Sequence, residues 1–178
     1  YLFKENPYQS NRKRNWFGLN WLLYNIKFEH SFSEKSNISI NIFGLDAERK
    51  AIGFRSNRVG QIDSNKERDL IKGDFNNHGI EIRWLQNYPL GNKKAVFLVG
   101  GKYYNAKNTS AQGPGSSASD ADFSFYRNRY PNYQRQSDYT YPNKNLALFV
   151  ENIFYLNVFD LFLFFLYLHH KYNSYKIR

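Results

Sequence analysis

Apolar and polar residues alternate with a period of two along much of the chain, which predicts β-strands rather than helices. The predicted strands are Asn15–His30, Asn37–Phe54, Asp74–Tyr88, Lys94–Tyr104 and Asn145–Leu156. In the second strand, for example, Ile38, Ile40 and Ile42 alternate with asparagine and serine. The alternation changes phase near Leu22 and Leu23, which predicts a β-bulge there.

The connections between these strands alternate in length. Ser31–Ser36 and Pro89–Lys93 are short, 55–73 and 105–143 are long, and Asn157–Asp160 would again be short. In an antiparallel up-and-down sheet, this order places the tight turns at one end and the long loops at the other. Outer-membrane barrels have this asymmetry, and their strands are longer than those of soluble proteins. The pattern therefore favours a segment of a membrane barrel.

Composition narrows the class further. The 178 residues include 25 Lys and Arg against 15 Asp and Glu, a net charge of +10, and 19% aromatic residues. The chain has no cysteine, which excludes a disulfide scaffold, a thiolate metal site and a catalytic cysteine. A mean hydropathy of −0.70 is too polar for a helical membrane bundle but suits barrel strands, which are half polar. The chain begins at Tyr1 and has no methionine, so we expect a processed or truncated chain.

The C-terminal part differs from the rest. Leu146–Leu168 is the most apolar stretch and is long enough to span a bilayer as a helix, which would make a tail anchor. Glu151 and Asp160 interrupt it, and a central acid costs about 2.5–3.5 kcal/mol on an insertion scale. Composition changes abruptly after Leu156, as a reading-frame shift in A/T-rich DNA would cause. Translation of the DNA after codon 156 in the other frames tests this hypothesis, which fails if neither frame encodes an alternating strand.

Four segments carry a family resemblance. They are Ile42–Phe54 (IFGLDAERKAIGF), Ile71–Ala106, Ser119–Phe125 (SDADFSF) and Ser137–Leu156 (SDYTYPNKNLALFVENIFYL). Together they resemble the barrel of TonB-dependent outer-membrane receptors, and within that family the ferric-dicitrate-type receptors of Bacteroidetes. The resemblance implies a 22-stranded barrel with an N-terminal plug, located in the Gram-negative outer membrane. It also implies uptake of a ferric chelate, powered through TonB and the proton-motive force.

The predicted fold is therefore all-β: antiparallel up-and-down strands forming a partial transmembrane barrel of about five or six strands. Its predicted parts are a polar N-terminal segment 1–14, the partial barrel 15–156 and an atypical tail 157–178. A TonB box and a plug are absent from these residues, so TonB would be contacted through the missing N-terminal region of a parent receptor. Because an open barrel edge is unsatisfied in lipid, transport would belong to that parent.

The long loops are the expected place for ligand chemistry, because a barrel supplies the scaffold and its loops vary. Arginine binds carboxylates in a bidentate manner, so a ferric citrate-like chelate is the predicted ligand. The candidate ligand-binding residues are Arg55, Arg58, Arg68, Arg127, Arg129, Tyr130 and Arg135. The alternative is a solvated loop whose charges meet water or lipopolysaccharide.

No enzyme is predicted, because no nucleophile–base arrangement stands out. The four histidines lack metal-site spacing, so we expect no resident metal or cofactor. The alternative function is a soluble β-sandwich that binds carbohydrate or nucleic acid through the arginine- and tyrosine-rich loop. Because no nucleic-acid signature is present and the basic residues are spread along the chain, we predict no nucleic-acid partner.

Overall fold

A computed structural model describes residue 4 and residues 12–57, 60–156, 159–172 and 175–176. Most of the predicted segment 1–14 and parts of the predicted tail lie outside these residues. The described strands are β1 (Trp16–Ser33), β2 (Ser36–Gly53), β3 (Asp69–Leu90), β4 (Lys93–Pro114), β5 (Ser137–Tyr155), β6 (Asp160–Tyr172) and the two-residue β7 (Tyr175–Lys176).

The six long strands form one open sheet in chain order, each antiparallel to the next, and β7 pairs with β5 beyond β6. The β1–β2 and β3–β4 turns are tight, and the latter uses Gly91 at a φ of 59°. These turns and the β5–β6 connection lie at one end of the sheet, and the connections 54–68 and 115–136 lie at the other. The predicted up-and-down fold and its loop asymmetry are thereby confirmed. The sandwich alternative required two packed sheets, and the described strands form one.

Three strands extend well beyond their predicted bounds at the long-loop end. β3 begins at Asp69, β4 continues to Pro114 and β5 begins at Ser137. The long connections are therefore 54–68 and 115–136 rather than 55–73 and 105–143. The added strand residues are mostly polar on both faces, so they produce no alternation of apolar and polar residues.

The predicted bulge near Leu22 and Leu23 is wrong. β1 and β2 pair without a register shift from Trp16 to Ser31, and the only irregularity in this pairing falls between Ser31 and Ser33. What changes along these strands is which face is apolar. On β2, Ile42 and Asp46 share one face, whereas Asn41 and Leu45 share the other. The surroundings of the strand change along its length, and the backbone stays regular.

One face of the sheet carries a continuous apolar band across all six long strands, in the half nearer the short turns. Cross-strand pairs lie on the same face, so the register defines the band. It comprises Tyr24, Ile26, Phe28, Ile38, Ile40, Ile42, Ile80, Ile82, Trp84, Val99, Tyr103, Leu146, Leu148, Val150, Leu163, Phe165 and Tyr167. Many of these side chains are exposed, which is unusual for so large a contiguous patch on a soluble monomer.

The opposite face, here called the ion-pair face, is charged at the same height. Lys27 lies 2.6 Å from Glu29, and Glu81 lies 2.6 Å from Arg83 and 3.9 Å from Lys102. Glu81 sits between Ile80 and Ile82 in the chain, so successive residues alternate between the two environments. β1, β2 and β3 thus separate an apolar surface from a polar one, and β4 adds Lys102 to the polar side.

Little of the chain is buried. Apart from alanines, the buried hydrophobic residues of the described chain are Ile52 and Leu70, at the long-loop end. A soluble domain of this length would bury a much larger apolar core. Apolar burial within this sheet would therefore contribute little to its stability in water.

The C-terminal tail adopts strand structure over Asp160–Tyr172, where the tail-anchor alternative required a helix. In the part of the chain that the structure describes, no helix is both long and apolar enough to cross a membrane. β6 departs from its neighbours because Phe162 and Phe164 lie on the ion-pair face opposite Ile153 and Glu151. The frame-shift hypothesis stays a prediction.

Candidate functional site

At the long-loop end of the sheet, Arg14 lies two residues before β1 and forms an ion pair with the first long loop. Arg14 is 6% exposed and grips Asp63 in a bidentate manner, with Nε to Oδ2 at 2.8 Å and Nη2 to Oδ1 at 2.5 Å. The same guanidinium donates to the carbonyls of Lys66 and Ser117. Arg14 thus links the segment that precedes β1 to both long loops. The hydrogen bond from Arg14 is the main cause that lowers the pKa of the Asp63 carboxyl.

Arg68 is a second arginine that connects the two long loops. It is 0% exposed, and it donates to the carbonyls of Ser116 at 2.8 Å, Arg14 at 3.0 Å and Asp120 at 2.6 Å. Burial lowers the pKa of this guanidinium, and the nearby Asp120 opposes that effect. Arg68 therefore holds loop carbonyls instead of facing the surface where a ligand would arrive.

The segment 115–127 folds back over the apolar face at its long-loop end. A side chain at Gly18 would meet the ring of Phe123, and the ring of Phe125 lies beneath Lys72 Nζ at 5.6 Å. Trp16 Nε1 donates to the carbonyl of Ser119 at 2.7 Å. This segment covers Ile52 and makes the small second layer of the fold.

Arg127 attaches the second half of this loop to the sheet. It pairs with Asp138 at 3.1 Å, donates to the carbonyl of Ser137 at 2.7 Å and stacks over Phe125 at 4.3 Å. Its guanidinium is committed to β5 and to its own loop. Like Arg68, it acts in the structure as a loop brace.

A different group of side chains surrounds Asp69 on the ion-pair face. The buried Asp69 carboxylate accepts from Gln112 Nε2 at 2.8 Å and from the Tyr133 hydroxyl at 3.2 Å. Arg55 Nη1 lies 3.6 Å from Asp69 Oδ2, and its side chain is 58% exposed. Arg135 in turn donates to the Tyr133 hydroxyl at 3.5 Å. Asp69 therefore gathers residues from both long loops and from β4.

Aromatic side chains extend this group along β5. Tyr139 and Tyr141 lie on the ion-pair face, with ring centroids 6.1 Å apart and nearly parallel planes. Arg55, Arg135, Tyr133, Tyr139 and Tyr141 are here called the loop-end cluster. It combines two guanidinium groups with aromatic surface, a combination suited to a carboxylate-bearing ligand.

Arg129 and Tyr130 form a separate pair. Arg129 lies over the Tyr130 ring at 5.6 Å. A hydrogen bond from Tyr130 is the main cause that lowers the pKa of Glu67, and Arg129 adds to it electrostatically. These residues sit beside a carboxylate of the first long loop.

The predicted ligand residues are thus sorted by the fold. Arg55 and Arg135 come together around Asp69, Arg129 and Tyr130 meet Glu67, and Arg68 and Arg127 brace the loops. Arg58 lies outside the described residues. Sequence reasoning did not single out Arg14 or Asp69, and nothing in the local pattern distinguishes them from other polar residues.

The histidines and carboxylates of the described residues are not arranged as a metal site. Within residues whose structure is described, no group of three or more His, Asp or Glu side chains could hold a metal ion.

Comparison with known proteins shows likeness in fold. No protein-family model matches the sequence. No curated protein matches it either. A solved structure, the ferric citrate transporter FecA in its unliganded form, is similar over 98% of this chain, with a TM-score of 0.74 and 14% sequence identity. The chain spans 24% of that transporter. At this sequence identity, the likeness shows only that the open sheet of this chain has the fold of part of that structure.

Proposed function

We propose that this chain is a segment of the barrel of a TonB-dependent outer-membrane receptor that takes up a ferric citrate-like chelate. The observation that carries the proposal is the apolar band across six strands, with polar and charged side chains behind it on β1 to β4. A strand that faces lipid on one side and a polar lumen on the other needs this arrangement. The likeness in fold to a ferric citrate transporter supports the proposal.

The dimensions of the band support membrane embedding. On β3, the distance from Ile80 to Tyr88 is about 27 Å along the strand at roughly 3.3–3.4 Å per residue. With the tilt of about 45° typical of membrane strands, this corresponds to about 20 Å across the bilayer, near the roughly 25 Å of barrel proteins. Tyr24 and Tyr103 lie at its upper boundary and Trp84 and Tyr88 near its lower one. Aromatic residues at both boundaries are typical of such barrels.

Orientation follows from the loops. Outer-membrane barrels have short periplasmic turns and longer extracellular loops. The connections 54–68 and 115–136 would therefore lie outside the cell, with the loop-end cluster at the extracellular opening of the lumen. A negatively charged ferric chelate would meet Arg55 and Arg135 there, with tyrosine rings beside it. The remaining strands, the plug and the contact with TonB would come from the parent receptor.

Two experiments test the proposal. The parent protein is expected to be β-rich, soluble only in detergent and heat-modifiable on gels. A soluble monomer formed by residues 15–156 without detergent would contradict the membrane part. For the ligand, uptake of radioactive ferric citrate is compared in cells with and without the full-length gene. A defect restricted to another chelate would contradict the citrate assignment and leave the receptor assignment intact.

A further inference from the structure

On the face of the apolar band, strands β3, β4 and β5 form a groove of about 390 Å³ around Gly101. Gly101 leaves the floor of the groove open, because it has no side chain between Val99 and Tyr103 on β4. The walls are residues of the band, which the register places on one face: Ile80, Ile82, Trp84, Val99, Tyr103 and Leu146. Gly100 and Lys102 also border the groove, but the register assigns them to the ion-pair face.

The lower end of this groove is held in shape by Trp84. Its Nε1 donates to Ser36 Oγ at 2.9 Å, and its ring meets Phe97 edge to face with centroids 6.2 Å apart. The indole is therefore fixed between β2 and β4. Because an apolar groove loses dispersion contacts on its open side, a hydrocarbon chain that fills it is favoured.

Two lysines lie directly above the upper end of the groove, on the same face. Lys144 is two residues from Leu146 along β5, and Lys171 of β6 is its direct cross-strand partner. Both side chains are exposed. Like charges directly opposite each other on a sheet are destabilising. An anion between the two ammonium groups would remove this repulsion.

No carboxylate of the described chain offsets these two charges. Neither lysine forms an ion pair within the described residues. The neighbours of Lys144 on this face that the structure describes include a third lysine, Lys107, and no acid. The upper end therefore attracts an anion, and the groove below it accepts an apolar chain.

We propose that an anionic, phosphate-bearing lipid of the extracellular leaflet binds here, with its phosphate between Lys144 and Lys171 and an acyl chain along the groove to Trp84. The inference rests on the proposed membrane embedding and adds a lipid site to it. Lysine ammonium groups near a membrane surface attract anionic headgroups, and their contributions accumulate. A free phosphate would use the lysines alone, whereas a lipid also uses the groove.

The test places the full chain in phosphatidylcholine vesicles that contain a minor fraction of phosphatidylglycerol, whose phosphate carries a net negative charge. The chain has three tryptophans, and Trp16→Phe/Trp21→Phe leaves Trp84 as the reporter in the groove. The acyl chains of one lipid class are brominated at a time. The ratio of Trp84 quenching by the two brominated lipids then measures the preference for phosphatidylglycerol.

Two pairs of variants are compared in this background. Lys144→Gln/Lys171→Gln removes the charges above the groove, and Lys13→Gln/Lys66→Gln removes the same charge at the long-loop end, where both lysines are exposed. Gly101→Leu fills the groove. Its control, Ile26→Phe, adds bulk to the band on β1, away from the groove.

We expect the preference for phosphatidylglycerol to fall by about five-fold or more in Lys144→Gln/Lys171→Gln, from the usual contribution of a lysine near a membrane. Gly101→Leu should also lower it, because the acyl chain loses its place beside Trp84. Both controls should keep the preference of the background chain, and excess inorganic phosphate should leave it unchanged. If Gly101→Leu fails to insert, Gly101→Ala should show a smaller fall.

An unchanged preference in the lysine variant, or an equal fall in its control, would overturn the lipid site and leave membrane embedding intact. An unchanged preference in Gly101→Leu would remove the groove from the site and overturn it as well. Loss of preference with inorganic phosphate would identify a phosphate site and reject the lipid. If neither brominated lipid quenches Trp84, the proposed function fails and the lipid site fails with it.

Discussion

The ring of Phe149 lies across Gly100, its direct cross-strand partner, and reaches Arg83 on the strand beyond. The Arg83 guanidinium lies 5.8 Å from the ring centroid. A Cβ atom at position 100 would come within 2.4 Å of Phe149 Cζ. The glycine therefore lets an aromatic ring connect three strands on the ion-pair face. Phe43 crosses Gly79 in the same way and meets Lys102.

Replacement of Gly100 by alanine should destabilise the sheet by about 1–3 kcal/mol, because the new methyl group displaces the Phe149 ring. Urea unfolding in detergent micelles measures the change. Gly101→Ala is the matched control, since its Cβ would meet the flexible Leu148 side chain at 3.1 Å on the other face. Equal losses in the two variants would contradict this account of Gly100. Replacement of the ring by a smaller side chain in Phe149→Leu should partly restore the stability that Gly100→Ala loses.

Single cysteines should distinguish the two faces, because the chain has none of its own. In vesicles, Ile40→Cys should react slowly with a water-soluble maleimide, since apolar surroundings raise the pKa of a thiol. Ser39→Cys, on the ion-pair face, should react faster. Asp46→Cys shares the face of Ile40 but lies above the band, so it should also react quickly. Similar rates at positions 39 and 40 would count against lipid contact at the band.

Arg68→Met should loosen both long loops. Removing the buried guanidinium leaves the carbonyls of Ser116, Arg14 and Asp120 without these donors, at an expected cost of about 3 kcal/mol in unfolding free energy. Limited proteolysis should cut the loops faster, and the unfolding midpoint should fall. Lys66→Met removes an exposed charge two residues away and should change neither. Unaltered proteolysis of Arg68→Met would show that the brace is dispensable.

Arg55→Gln and Arg135→Gln should each weaken ferric citrate binding by the parent receptor about ten-fold or more, because each removes a charge-assisted hydrogen bond to a carboxylate. Equilibrium binding of radioactive ferric citrate measures the effect. Lys107→Gln loses the same charge on the opposite face and serves as the control. Unchanged affinity in both arginine variants would remove the loop-end cluster from the ligand site.

Because of the Arg14–Asp63 pair, the long loops should become less ordered at low pH. Because the pKa of Asp63 is lowered in the folded chain, its contribution to stability is fully present above the unfolded value of about 3.9 and is lost as pH falls through the lower folded value. Emission from Trp16, which contacts the second loop, should change in that window. In Asp63→Asn the change should already be present at neutral pH. A transition in Asp63→Asn at the same pH as in the unaltered chain would assign it to other carboxylates.

The alternation of residues determined the strand class, and the alternating lengths of the connections predicted an antiparallel up-and-down order and the end at which the turns lie. The strand class is a local feature, because a strand with one apolar face reveals its period within a few residues. The alternation of Ile38, Ile40 and Ile42 with polar residues predicts an apolar face from the local sequence alone. The same reasoning failed at the outer ends of β4 and β5, which are mostly polar on both faces, and at the outer end of β3, where the adjacent apolar residues Leu70 and Ile71 break the period.

The tertiary structure decided what each arginine does. Arg14 and its acceptor Ser117 are 103 residues apart in the chain, and Arg68 and Asp120 are 52 apart. In the sequence, Arg68 and Arg55 are both basic residues of one polar loop. The fold buries the first among carbonyls and leaves the second exposed beside Asp69. Their roles depend on which distant groups the register brings near, and a local pattern carries no information about those groups.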